Sequence, residues 1–266
     1  MGGHLHHAGG TTPGTLPALA LVLAAAAAYL ALVARARDRD PRRGRQHLRT
    51  GSFLGGCALL TVALLPPVAA HGDFRRHMLQ HMIIGMYAPL ALMLGAPLTM
   101  LLRALPAHRA RQVTRLLRAR PARVLAHPVI ALMLGTGSLG VLYFTPLYDA
   151  AAARPAGHWL LHAHFLVSGY LFAWVVAGPD PAPGRPGVPA RLVLLGVAVA
   201  AHATVAQLLY GGFGVHVHAP AGRIRDAAAI MYYGGDVAEL LLAAALVATW
   251  RPERPRRRPA LLTGSS

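Results

Sequence analysis

The chain of 266 residues is 55% hydrophobic and only 13% charged, too little polar surface to cover a water-soluble domain, so it falls in the membrane class. Its formal net charge of +17 does not imply a nucleic-acid partner, because all 26 basic residues are arginine and they sit in short blocks between long apolar runs. The single cysteine, Cys57, excludes an intramolecular disulfide, a CxxC redox pair and a cysteine-rich metal site, so any metal must be held by other ligands.

A tail, residues 1–15, carries His4, His6 and His7. Apolar runs then occur near 16–34, 51–69, 78–102, 128–146, 158–177, 190–211 and 227–250. Each suits the roughly 20 helical residues that cross about 30 Å of hydrocarbon. The first run is followed by an arginine block and preceded by none, which predicts a retained span rather than a cleaved leader. Backbone polar groups in lipid must be satisfied internally, and the runs are far longer than barrel strands, so the spans are predicted to be helices. The predicted fold class is an all-α membrane protein: a bundle of about seven transmembrane helices over 16–250, with a basic tail at 251–266. Pro89 and Pro97 predict a kink or break in the third span. No strong GxxxG face sets an oligomeric state.

The loops at 35–49 and 103–123, the link around Arg185 and Arg191, and the tail at 251–258 hold 21 of the arginines. Arg75, Arg76, Arg154, Arg223 and Arg225 make up the other set. The positive-inside bias puts the first set in the cytoplasm, hence the N-terminus is predicted to be extracytoplasmic and the C-terminus cytoplasmic.

The fifteen histidines took no part in that assignment, yet only His47, His108 and His127 fall in the arginine-rich loops. His71 lies in an outer connection, His77 and His81 open the third span, His158, His162 and His164 open the fifth, and His216 and His218 follow the sixth. His202 alone is placed near mid-membrane and is read, like His71, as hydrogen-bonded structure. Residues four apart share a helix face, so His77 with His81 and His158 with His162 are chelating pairs that could face one ion. Met78, Met82 and Met86 form a stripe beside the first pair; their soft thioethers favour copper(I) as ligands but also suit ordinary packing. Asp236 and Glu239, one turn apart in the last span, are intramembrane carboxylates that could hold protons, metal or histidine N–H groups.

His77-Met-Leu-Gln-His81, then Ala88-Pro89 and Gly95-Ala-Pro97-Leu98, resembles the CtaG family of multi-spanning cytochrome c oxidase assembly factors. Pro146-Leu-Tyr-Asp149-Ala, His158-Trp-Leu-Leu-His162 and Gly178-Pro-Asp-Pro181 follow in that family's order, so the resemblance covers roughly 70–250. It implies a multi-pass protein of the bacterial plasma membrane that helps mature haem-copper oxidases by supplying copper, with His77, His81, His158 and His162 as the matching histidines. The chain departs from the family where Phe144-Thr145 replaces a Trp-His pair, where Leu161 replaces an acid, and at Asp226-Ala-Ala228. His164, His216 or His218 could substitute in a rearranged site.

The expected function is therefore a non-catalytic copper chaperone, taking copper as Cu(I) rather than Cu(II) and passing it to an oxidase subunit or another copper carrier. A zinc-dependent intramembrane hydrolase using HxxxH and an acid is the main alternative. A b-type haem protein and a scaffold with structural histidines complete the set.

Overall fold

The computed structural model describes residues 14–39, 46–69, 73–182 and 184–250. His4, His6, His7, His71 and the tail at 251–266 lie outside them. Among the described residues all regular structure is helical. The helices are α1 (Thr15–Arg39), α2 (His47–Leu64), α3 (Phe74–Ala104), α4 (Ala107–Leu117), α5 (Arg120–Leu125), α6 (Pro128–Tyr143), α7 (Leu147–Ala152), α8 (Pro155–Ala177), α9 (Val188–Gly211) and α10 (Ala221–Thr249). Five of them, α1, α3, α8, α9 and α10, are long and apolar enough to cross a membrane. Outward-facing Leu23, Val193, Leu240 and Val247 are each about two-thirds exposed or more, an apolar exterior suited to lipid rather than water.

The elements stop where local chemistry stops them. The predicted second span reached residue 69, but α2 ends at Leu64. Leu65 precedes Pro66-Pro67, and the clash with a proline ring drives it to extended backbone, φ −106° and ψ 151°. Conversely, α1 outlasts its apolar run, with Arg37 and Arg39 placed against the negative end of the helix dipole.

Both prolines of α3 mark departures from regular helix. Ile83–Tyr87 is a π-helical turn, and Pro89 lacks the N–H that would reach the Gly85 carbonyl. That carbonyl is met by α8 instead: a Cβ at Gly169 would lie 1.9 Å from it, so only glycine permits the approach. Before Pro97 the helix breaks outright, with buried Ala96 left-handed at φ 52° and ψ 53°, and restarts as Pro97–Ala104.

Two neighbours hold that break. Tyr29 of α1 donates its hydroxyl to the Gly95 carbonyl at 2.8 Å, while its ring stacks on Phe53 of α2. The buried Asp180 carboxylate accepts the N–H groups of Leu98 at 3.0 Å and Thr99 at 2.8 Å, satisfying the restarted N-terminus. Arg185 closes the end of α8, donating to the carbonyls of Gly178 at 2.6 Å and Trp174 at 2.8 Å. Burial lowers the pKa of its guanidinium to about 10.

Among the described residues three apolar clusters fill the bundle; the smallest joins Tyr29, Val33, Phe53, Cys57 and Met100 beside the break, and two larger ones fill the rest. One, in the histidine-bearing half, joins Met78, Met82, Phe165, Leu209 and Met231; the other, towards the arginine-rich end, joins Met93, Val176, Leu194 and Leu246.

Candidate functional site: two histidine-lined cavities

Asp73 starts α3, its carboxylate accepting the N–H of Arg75 at 3.0 Å. The Arg75 guanidinium bonded to Asp73 holds that carboxyl below its ordinary pKa. The helix so begun carries His77 and His81 on one face, both buried and one turn apart in depth. His77 Nε2 is 3.2 Å from the hydroxyl of fully buried Tyr143, and its ring packs on Tyr148 with centroids 4.6 Å apart. Phe165 of α8 contacts both imidazoles, at 6.1 Å from His77 and 4.2 Å from His81. It thus lies against one histidine from each of two cavities, an outer vestibule lined by His77 and an inner cavity lined by His81.

The vestibule is an open chamber of about 210 Å³ lined by Asp73, His77, Gln80, Tyr148, His158 and His218. His158 reaches it because Gly157 lets the start of α8 lie tight against α7; a Cβ there would meet the Ala151 carbonyl at 2.3 Å. The ring of His162, one turn deeper and buried, is edge-on to His158 with centroids 4.3 Å apart. Asp149 pins the loop after α9: it accepts the N–H of His218 at 3.2 Å, and its carboxylate also contacts the His218 ring at Nδ1. Tyr148, from the Pro146 motif, thus lines the chamber, and Asp149 beside it holds His218 in the chamber wall.

The other candidates point elsewhere. His164 faces a lateral groove between α6 and α8, bonding Ser138 Oγ at 2.9 Å. Exposed His216 folds onto its own loop, Nδ1 to the Gly214 carbonyl at 3.0 Å, and its N–H donates to the Tyr143 carbonyl. Met78 and Met82 are packed in the apolar cluster, and the Met82 methyl lies 3.6 Å from where Gly234 of α10 would carry a Cβ. Asp236 is half-buried. Leu161 belongs to the same apolar cluster, and Asp226 pairs with Arg75 at 3.4 Å. Among the described residues no three His, Cys, Asp or Glu side chains form a group that could hold a metal ion. One histidine of each HxxxH pair, His77 and His158, lines the open chamber, which is not a closed cage.

Beyond Phe165 lies a cavity of about 60 Å³ lined by His81, Thr136, Ser168, His202 and Glu239 among others. The sequence had offered His81 and Glu239 as candidates but not His202, which stood alone in an apolar run. The folded chain docks His202 directly on the backbone of α10: a Cβ at Gly235 would lie 2.2 Å from its Cε1. His202 Nδ1 is 3.5 Å from Glu239 Oε1, and both side chains are buried. The Gly234-Gly235 pair one turn before Glu239 was the available signal, because adjacent small residues in a helix admit a large side chain from a neighbour.

A family model described as cytochrome c oxidase caa3 assembly factor (Caa3_CtaG) matches residues 27–253. Uncharacterized proteins of Mycobacterium bovis and Mycobacterium tuberculosis are each 40% identical over 161 residues, 57% of this chain and 24% of theirs. One from Mycobacterium leprae is 37% identical over 164 residues, 58% of this chain and 25% of its own. The matched region is about a quarter of the length of these curated relatives. No solved structure matches. The family match takes in both cavities and all the helices that line them: the chain belongs to the cytochrome c oxidase caa3 assembly factor family and is a multi-pass protein of the bacterial plasma membrane.

Proposed function

We propose that this family member is a non-catalytic copper carrier, holding copper in the outer vestibule and passing it to a haem-copper oxidase subunit or to another copper carrier on the extracytoplasmic side. The observation that carries this reading is the convergence of His77, His158 and His218, from α3, α8 and the loop after α9, on one open chamber with Asp73 at its rim. Imidazole is a good copper ligand, and a chamber without a closed ligand cage suits an ion that must leave again. In this reading the copper is cargo.

Orientation follows from arginine. We take α2 and α6 as two further crossings, since 18 residues of α2 span roughly 27 Å. Seven crossings put the N-terminus outside and the C-terminus inside. The vestibule, at the opposite end of α3 from Arg103, then opens outward.

The test is the metal content of the client. In cells whose only copy carries His77→Ala and His158→Ala, the cytochrome c oxidase is expected to lose copper several-fold while its polypeptides persist. A fully copper-loaded, active oxidase in such cells would overturn the proposal. So would a purified protein that retains zinc and hydrolyses an amide or ester until His158 is replaced by alanine.

A further inference from the structure

We propose that the inner cavity is a second copper site, distinct from the vestibule, in which His81 and His202 bind one Cu(I) ion and Glu239 is a positioning residue that orients His202. The ion is the cargo of the function proposed above, so this inference rests on that reading; the site itself is assigned by different residues and a different cavity.

Four observations converge there. First, His81 and His202 line the same cavity from α3 and α9, and each is only 4% exposed. Second, neither ring nitrogen of His81, nor Nε2 of His202, has a hydrogen-bond partner among the described residues. Burying such groups without a partner is costly, and an ion that accepts their lone pairs offsets that cost. Third, Glu239 Oε1 faces His202 Nδ1 at 3.5 Å. A carboxylate there favours the tautomer with the proton on Nδ1, which leaves the Nε2 lone pair for a metal; this carboxylate–histidine pairing is how proteins commonly orient an imidazole ligand. Fourth, both π-helical turns among the described residues border the cavity, Ile83–Tyr87 through Gly85 and Met133–Gly137 through Gly135 and Thr136. Such turns concentrate at functional sites because they re-aim side chains and widen a helix locally.

The ligand set selects the ion. Two neutral imidazoles in an apolar surround make a poor site for zinc, which takes four ligands in structural sites and three plus water in catalytic ones. Copper(I) has a filled d shell and accepts two nitrogen donors in a near-linear arrangement, and its single positive charge is balanced by one carboxylate, that of Glu239. His77 and His81 are one turn apart with Phe165 against both rings, so the two sites lie in sequence along α3.

The test uses the full chain purified in detergent, loaded anaerobically with Cu(I) and titrated with a coloured Cu(I) chelator. Wild type is expected to bind two equivalents and His202→Gln one, the vestibule copper persisting. Glu239→Gln is expected to keep both, with one weakened about tenfold to a hundredfold, the usual effect of removing an outer-sphere carboxylate. If His202→Gln does not fold, Glu239→Gln, which changes charge but not size, decides by that loss of affinity. Two outcomes overturn the inner site alone: copper that His77→Ala/His158→Ala abolishes while both inner variants titrate like wild type, or a single wild-type equivalent unaffected by them. A wild-type chain that binds no copper overturns the carrier reading, and the inner site with it.

Discussion

Glycines carry much of the site's construction. Gly169 admits the Gly85 carbonyl and Gly235 admits the His202 ring, and a Cβ at either would overlap its neighbour, at 1.9 Å and 2.2 Å respectively. Gly235→Ala is expected to lower stability by about 1–3 kcal/mol, as overpacking does, and to displace His202 from Glu239. Gly196→Ala, where nothing lies within 4 Å of the added carbon, is expected to be neutral or to stabilise α9 by about 0.5–1 kcal/mol. Thermal unfolding in detergent separates the two; equal effects would contradict the packing described. Asp73 has a pH signature. Arg75 depresses its pKa, so its contribution is present above the ordinary carboxylate range and is lost as pH falls through the depressed value. Asp73→Asn is accordingly expected to make stability less steep in acid, seen in unfolding midpoints from pH 6 down to about pH 3. At this scale the sequence showed which residues could bind, because HxxxH is a local spacing. It did not show what stands opposite them: Tyr143 on His77 and Glu239 on His202 are contacts across 66 and 37 positions that no helical period encodes.

The broken third helix is the element on which the site depends. Pro89 and Pro97 made an interruption legible, since a missing N–H is written in the residue itself. Its form was not. The first proline is absorbed by a π-helical turn against α8, while the second is a true break, capped from a distant loop by Asp180 and from α1 by Tyr29. Two of the motifs that carried the family resemblance, Gly95-Ala-Pro97-Leu98 and Gly178-Pro-Asp180-Pro181, therefore meet in space as one capping device. Asp180→Ala removes the partner of two N–H groups at the restarted helix. It is expected to cost about 1–3 kcal/mol and to raise hydrogen exchange at Leu98 and Thr99 specifically. Unchanged protection at those two amides would mean that Asp180 does not cap the segment. The overrun of the second predicted span past Leu64 had the opposite cause: Pro66-Pro67 was visible, but hydropathy outweighed it.

For the whole molecule, the membrane class, its helical character and the family were legible in composition and motif order, because lipid leaves a long apolar segment few alternatives to helix. That His77, His158 and His218 come to one end of the bundle was legible as well, since the arginine blocks assign the starts of α3 and α8 and the loop after α9 to the same side. The division into two cavities was not, because it turns on packing across distant positions that sets His77 beside His158 in one and His81 beside His202 in the other. In the copper-carrier proposal the vestibule receives the ion and the inner pair holds it, which makes one pathway of the two cavities. Copper analysis of the full chain purified from copper-replete cells, beside its His77→Ala/His158→Ala variant, tests this most directly. Copper is expected as the retained metal in the wild type, with its loss from the vestibule in the variant. A wild-type protein that retains no copper, or that retains zinc in its place, would contradict it.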